Sequence, residues 1–292
     1  MISHRFSIGP ADAQISMLQW GESGKPPALL VHGTGFIADV WDEVARELAS
    51  TYTVYALDRR GHGASHKAES YHFLDFADDL CWVVDALDLN EIYGVGHSAG
   101  ATDLLVAAKR LPGRFIRLFV MEPTVMDPRA ARSGTLSEES LALVEGTLRR
   151  RAEFDSADAV FERYRSAPTF ADWTETALRA YVQHGFVPLD EGRVRLRCTP
   201  ETESAMLRPI CEAIEQVYAG DARGNPFGGL AEIDCPVRVM TAVKSGPIYK
   251  EMARRAVSLI PHVSTAVFEG AGHCVAQEVP AAVVEAIREF AK

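Results

Sequence analysis

The sequence predicts an α/β fold: a mostly parallel central sheet with helices on both faces, interrupted by an inserted helical segment. Short apolar runs alternate with helical patterns in residues 1–123 and again after residue 230. Strand–helix alternation of this kind is typical of parallel sheets. The 292 residues also exceed the roughly 150 of an average domain. We therefore expect one split core domain and one insertion.

Four strands are predicted in the first part, each a short apolar run that ends at a glycine or a polar residue. They cover residues 28–32, 52–58, 92–96 and 115–121. Apolar residues at helical spacing predict amphipathic helices between and after these strands, over residues 41–48, 73–87 and 99–111. Continuous apolar strands separated by helices indicate a sheet that is buried on both faces.

The insertion, residues 124–229, is expected to be a helical cap. Helical patterns dominate there, and glycine and proline interrupt them. The alternation resumes after it, with predicted strands at 235–243 and 264–270 and predicted helices around 248–259 and 281–290. The core domain is thus expected to combine residues 1–123 and 230–292.

Composition excludes several classes of protein. The formal net charge of −10 argues against a nucleic-acid backbone as the main partner. No apolar stretch approaches the roughly 20 residues of a membrane helix, and the N-terminus has no run of signal-peptide length. The five cysteines include no CxxC pair, which fits neither a zinc site nor a disulfide framework. We therefore expect a cytoplasmic protein.

The sharpest local signal is Gly-His-Ser-Ala-Gly at residues 96–100, which matches the G-x-S-x-G pattern. It lies between a predicted strand and a predicted helix, and that context would place Ser98 on a sharp turn as an exposed nucleophile. A nucleophilic serine needs a base. His273 is the candidate, because it follows a late strand and comes last in the chain order serine, acid, histidine.

Residues 32–36, His-Gly-Thr-Gly-Phe, follow the first predicted parallel strand and are expected to complete an oxyanion hole. Thr34 is the predicted backbone donor from this loop, and the N–H of Ala99 is the second donor. The candidate substrate-binding residues are Gly33, Gly35, Phe36 and His97.

Four motifs together resemble the α/β-hydrolase superfamily: HGTGF (32–36), DRRGHG (58–63), GHSAG (96–100) and GAGHC (270–274). The resemblance covers residues 1–123 and 230–292, and it implies a Ser–His–acid triad.

Many members hold the acid as an aspartate after the strand predicted at 235–243, but no carboxylate follows there until Glu251. Some members resemble this chain in carrying the acid at the position of Glu122, which ends the strand after that of the nucleophile. Pro123 is expected to restrict Glu122 to extended backbone angles. The alternatives left open are Glu251, Asp127 or Asp103 as the acid, and Glu122 as the structural partner of a cap arginine.

The expected activity is that of a cofactor-independent serine hydrolase with no metal. It would cleave a carboxylic ester or lactone of a small hydrophobic molecule through an acyl-enzyme, since an apolar lid over a serine implies a dry pocket. One alternative is hydrolysis of a carbon–carbon bond in a ring-cleavage product, or perhydrolysis. Another is a non-catalytic ligand sensor. The expected partner is the small-molecule substrate rather than nucleic acid or a membrane, and a homodimer is left open.

Overall fold

The computed structural model describes residues 3–125, 142, 144–218 and 227–292, with the backbone alone for 210–218. Within these residues, eight strands form the central sheet: β1 (His4–Ile8), β2 (Ile15–Trp20), β3 (Pro27–Val31), β4 (Thr53–Leu57), β5 (Ile92–His97), β6 (Phe115–Met121), β10 (Val237–Ala242) and β11 (Val263–Phe268). Three short strands form a second sheet: β7 (Glu153–Phe154), β8 (Phe186–Pro188) and β9 (Val194–Leu196).

The described helices follow the same chain order. They are α1 (Asp42–Leu48), α2 (Phe73–Ala86), α3 (Ala99–Arg110), α4 (Ala157–Tyr164), α5 (Glu175–His184), α6 (Pro200–Tyr218), α7 (Pro247–Leu259), α8 (Val275–Glu278) and α9 (Pro280–Phe290). Among the described residues, no helix is long and apolar enough to span a lipid bilayer. The same part of the chain holds no cluster of metal-ligating side chains.

The central sheet has the order β1-β2-β4-β3-β5-β6-β10-β11, and the strands from β4 to β11 run parallel. Its two faces are covered by different helices. Successive residues of β6 point to opposite faces and belong to different apolar clusters. Phe119 is clustered with residues of α1 and α9, and Leu118 is clustered with residues of α2 and α3. The predicted α/β class, with helices on both faces, is confirmed.

Two sets of strands differ from the prediction. The antiparallel β1 and β2, which extend the sheet at one end, were not expected. The segment between β6 and β10 was expected to be helical, but β7, β9 and β8 form an antiparallel sheet within it. Strands of two or three residues are too short to produce a periodic pattern, so helical spacing dominates the sequence there.

Asp58, directly after β4, holds the loops next to the sheet. This fully buried carboxylate accepts hydrogen bonds from the backbone N–H groups of Ala38 and Ala64, and it pairs with Arg5. A side chain at Gly63 would meet it, since an added Cβ would lie 2.1 Å from its Cγ.

We expect Asp58→Ala to lower the free energy of unfolding by about 3 kcal/mol or more, because three donors lose a charged acceptor. Urea titration of the variant checks this value. Asp78→Ala is the matched control, since that exposed aspartate forms a surface pair with Arg110 and such pairs contribute about 0–1 kcal/mol. Equal losses in the two variants would contradict the assignment of Asp58 as a structural anchor.

Candidate active site

Ser98 occupies a strained turn between β5 and α3. Its backbone angles are φ 54° and ψ −123°, in a region that L-residues rarely adopt. Its N–H donates to the carbonyl of Met121. The flanking glycines are required by space, because a Cβ on Gly96 would lie 2.6 Å from Ala101 Cα and one on Gly100 would lie 2.4 Å from the His32 carbonyl oxygen. The turn therefore presents the serine hydroxyl at the carboxyl end of the sheet.

Glu122 and His273 are brought together from residues far apart in the chain. Glu122 follows β6 and is fully buried. Its Oε2 lies 3.3 Å from Nδ1 of His273, and its Oε1 accepts a 2.8 Å hydrogen bond from the Ala242 N–H. Its own N–H donates to the Met240 carbonyl. Strand β10 thus fixes both the backbone and the carboxylate of Glu122.

The prediction of extended backbone angles at Glu122 is wrong, since its φ is +53°. The restriction that Pro123 imposes on the preceding residue acts mainly against the right-handed helical region, so it leaves a left-handed φ accessible. The hydrogen bond to Met240 and the burial of the carboxylate hold this conformation against a cost of about 1–3 kcal/mol.

The other candidate acids lie elsewhere. Glu251 is exposed on α7 and pairs with Arg254. Asp103 is buried and accepts a 2.6 Å hydrogen bond from Arg59 Nε. Asp127 lies outside the described residues. Within the described chain, no arginine pairs with Glu122, and its carboxylate bonds to His273 and Ala242 instead.

The loop at residues 33–36 leaves few free backbone donors. The N–H of Phe36 donates to the Gly33 carbonyl, and the N–H of Gly35 donates to His62 Nε2. The N–H groups of Gly33 and Thr34 have no hydrogen-bond partner among the described residues. A Cβ on Gly33 would lie 3.0 Å from Ser98 Cβ, so this loop passes directly beside the serine. Ala99 is the first residue of α3, where N–H groups lack intrahelical partners.

Three buried histidines shape this end of the sheet. Burial lowers the pKa of His32 to about 3, with Arg59 adding to the effect. Burial and the neighbouring His273 lower the pKa of His97 to about 3. Burial also lowers the pKa of His62 well below its usual value. Each neutral ring donates one N–H to a backbone carbonyl, that of Gly33, His273 and Arg60 respectively.

These histidines predict a loss of stability in acid. An unfolded chain protonates each ring below about pH 6.5, whereas the folded His32 and His97 stay neutral to about pH 3. The unfolded state then binds more protons, so the free energy of unfolding falls as pH drops through that window, by about 1.4 kcal/mol per pH unit for each such histidine. Urea midpoints measured between about pH 7.5 and 5 check this. A His32→Gln variant should show a shallower slope, and an unchanged slope would contradict the assignment.

The segment between β6 and β10 reaches the same loop. Phe36 contacts the rings of Phe170, Trp173 and Tyr181, and it stacks on His97. The Tyr181 hydroxyl donates a 2.8 Å hydrogen bond to the Gly35 carbonyl. Of the predicted substrate-binding residues, Gly33 and His97 lie next to Ser98, and Phe36 stacks on His97. Gly35 belongs to the same loop, and the role of these residues in binding stays a prediction. The contact of Tyr181 with this loop was not predicted, because the pattern of an amphipathic helix indicates only that a tyrosine is buried.

Charged groups also border this loop, which the expectation of an apolar lid did not include. Glu203 of α6 pairs with Arg150, and a Cβ on Gly35 would lie 3.3 Å from its Oε1. Arg59 is buried on the core side, where Nε donates to Asp103 and Nη1 lies 3.3 Å from Thr34 Oγ1. Its Nη2 has no hydrogen-bond partner among the described residues. The only sequence signal for Arg59 was its place in the DRRGHG motif.

Comparisons with known proteins agree with the fold. The model of the alpha/beta hydrolase family matches residues 28–286. The 2-(acetamidomethylene)succinate hydrolase of Mesorhizobium japonicum is 26% identical over 302 residues, or 99% of this chain and 95% of that protein. The non-heme chloroperoxidase CPO-A1 of Kitasatospora aureofaciens is 31% identical over 160 residues, or 52% of this chain and 58% of that protein. The crystal structure of E-2-(acetamidomethylene)succinate hydrolase superimposes with a TM-score of 0.79 at 23% identity, over 99% of this chain and 98% of the other.

Proposed function

Because the chain belongs to the alpha/beta hydrolase family, we propose that it is a serine hydrolase whose triad is Ser98, His273 and Glu122. One observation carries the proposal. The buried Glu122 carboxylate faces Nδ1 of His273 with one oxygen and is held by the Ala242 N–H through the other. His97, the neighbour of Ser98, donates a 2.7 Å hydrogen bond to the His273 carbonyl. That bond anchors the proposed base beside the proposed nucleophile.

The reaction proceeds through an acyl-enzyme. His273 takes the proton of Ser98 Oγ as that oxygen attacks the substrate carbonyl, and it then gives the proton to the leaving group. Water, activated by the same imidazole, releases the acid and restores the serine. Glu122 keeps the Nδ1–H tautomer of His273 and stabilises the imidazolium that forms in both steps.

The negative charge on the tetrahedral intermediate needs preorganised donors. The backbone N–H of Thr34 and that of Ala99 are proposed for this role, since neither has a hydrogen-bond partner among the described residues. Thr34 follows Gly33, which lies beside Ser98, and Ala99 follows Ser98 directly. Loss of one such donor typically costs about 3–4 kcal/mol of transition-state stabilisation. The N–H of Gly35 is already used by His62, so it is not a third donor.

The proposed substrate is a small carboxylic ester or lactone with an apolar portion. Residues 124–229 are proposed to act as a cap that supplies its binding wall. Phe170, Trp173 and Tyr181 of this segment pack on Phe36 of the loop beside Ser98. Aromatic walls of this kind bind apolar groups and exclude water from the reacting centre.

Arg59 favours a second candidate, hydrolysis of an amide-type acyl bond in a small carboxylic acid. Its buried guanidinium borders the oxyanion loop at Thr34, and among the described residues Nη2 has no hydrogen-bond partner, which would let it bind a substrate carboxylate. The 26% identical relative is named for a substrate with an acetamido group and a succinate, which supports this class.

A fluorophosphonate probe tests the proposed chemistry, because it reacts with an activated serine. We expect stoichiometric labelling of the folded protein, with the adduct on the peptide that contains Ser98. An adduct on any other residue, or turnover of a p-nitrophenyl ester by protein that the probe leaves unlabelled, would contradict the proposal. Relative kcat/KM values for short p-nitrophenyl esters, a δ-lactone and an N-acetyl enamide of a dicarboxylic acid then separate the two substrate classes.

A further inference from the structure

The imidazole of His273 lies against two other rings. Tyr249 stacks on it with ring centroids 3.7 Å apart and an interplanar angle of 18°. His97 is the second neighbour, with centroids 4.8 Å apart and an angle of 49°. Because Tyr249 already covers one face at contact distance, His97 occupies a different side of the imidazole. His97 in turn stacks on Phe36, at 6.2 Å and 13°.

Tyr249 reaches His273 from the start of α7. Its N–H donates to the Gly246 carbonyl, while Val243 and Lys244 are bonded to the backbone of Phe268 and Ala271. The turn from β10 into α7 is therefore tied to the loop that carries His273. This turn, residues 243–247, contains no carboxylate. The side chain that this part of the chain places next to the imidazole is the ring of Tyr249.

The edge of the imidazole is less firmly held than its face. The distance of 3.3 Å between Glu122 Oε2 and His273 Nδ1 is long for a hydrogen bond to a charged group, which is usually about 2.7–2.9 Å. Such a contact restrains rotation of the ring about its Cβ–Cγ bond only weakly. A flat ring at 3.7 Å blocks that rotation sterically.

We propose that Tyr249 is a positioning residue for His273, whose ring face fixes the plane of the imidazole and stabilises the imidazolium formed during catalysis. The proposal rests on the function of His273 as the base. Cations over an aromatic face are stabilised by the electron density of the ring. Tyr249 would therefore act more strongly in the transition state, where His273 is charged, than in the resting enzyme.

Two carboxyl side chains border His273: Glu122 at Nδ1, and Glu278, which accepts hydrogen bonds from the N–H groups of Gly272 and Cys274 on either side of it. Burial lowers the pKa of His97 to about 3, and burial raises the pKa of the adjacent Cys274 thiol to about 12. Burial also raises the pKa of the Tyr249 hydroxyl. These three groups are neutral at assay pH, and Tyr249→Leu and Tyr249→Phe both leave Glu122 and Glu278 in place, so a change in the pH profile that the leucine variant alone shows reports the Tyr249 ring.

The test compares Tyr249→Leu with Tyr249→Phe, using p-nitrophenyl ester turnover at several pH values. Leucine keeps an apolar cover but removes the aromatic face, so we expect kcat to fall about tenfold with KM little changed. We also expect the acidic limb of kcat/KM to move down by about half a pH unit, because the imidazolium loses stabilisation. Phenylalanine should restore both. Tyr52→Leu, which removes a half-buried ring that contacts Tyr93, is the matched control and should leave both unchanged.

Three outcomes would overturn the proposal: an unchanged kcat in Tyr249→Leu, a loss of kcat without displacement of the acidic limb, or a loss that Phe does not rescue. Tyr249→Met replaces the leucine variant if that protein fails to fold. Fluorophosphonate labelling of the wild type keeps this test apart from the proposed function. If Ser98 is labelled but Tyr249→Leu leaves kcat and the pH profile unchanged, only the role of Tyr249 is rejected. If Ser98 is not labelled, the proposed serine hydrolase function is rejected.

Discussion

Ser98→Ala is expected to lower kcat for ester hydrolysis by roughly 10⁴- to 10⁶-fold while the protein stays folded. Removal of the proposed nucleophile would abolish the acyl-enzyme, and the activity that remains would come from the proposed oxyanion donors and from binding alone. The backbone at Ser98 is strained, with φ 54°, so the variant has to keep this conformation. Alanine can keep the turn, since its Cβ occupies the same position.

The measurement is steady-state kinetics with a p-nitrophenyl ester, which gives kcat, together with a thermal unfolding curve that shows whether the variant is folded. Ser258→Ala is a suitable control, because the Ser258 hydroxyl is exposed and bonds only to the Arg255 carbonyl of its own helix. Turnover by Ser98→Ala within tenfold of the wild type would exclude Ser98 as the nucleophile.

Glu122→Gln should lower kcat by about 10⁴-fold, comparable to the effect of an amide at the triad acid of other serine hydrolases. The reason lies in the two oxygens of the carboxylate. Oε1 accepts from the Ala242 N–H, so the amide oxygen of glutamine takes that position and its NH₂ group faces His273. Nδ1 must then be unprotonated, which places the ring proton on Nε2 and blocks removal of the Ser98 proton.

The control for this prediction is Glu251→Gln, since Glu251 lies exposed on α7 in a pair with Arg254. We expect that variant to retain wild-type kcat. Near-normal activity in Glu122→Gln combined with an inactive Glu251→Gln would transfer the role of the acid. Because Glu122→Gln preserves the size and polarity of the buried group, we expect its thermal unfolding midpoint to change little although its kcat falls.

Local sequence rules predict some parts of this site and miss others. Ser98 and its glycines form a contiguous motif, and the crowding at Gly96 and Gly100 is the physical reason for it. Its place at the end of a predicted strand and the resemblance to the α/β-hydrolase superfamily made Glu122 the candidate acid, and that role stays a prediction. The positive φ of Glu122 was not predicted, because that angle depends on a hydrogen bond to Met240 of another strand.

The ring contacts around His273 and Phe36 could not be predicted from the sequence either, because they too depend on contacts between distant elements. Tyr249 and Tyr181 lie on amphipathic helices whose pattern indicates burial but not the partner. Their roles depend on how α7 and α5 dock on the core, and docking is set by many distant contacts. The three strands of the small sheet were missed because two or three residues are too few to show the alternation by which a strand is recognised.

The bond between Ala242 and Glu122 also has a consequence for biosynthesis. It joins residues 120 positions apart, and the contact between Glu122 and His273 spans 151 positions. On the ribosome, the proposed nucleophile and acid emerge long before the strand that fixes Glu122 and the loop that carries His273. A nascent chain therefore lacks the proposed triad, and we expect hydrolytic activity only after the last two parallel strands of the described sheet have joined it.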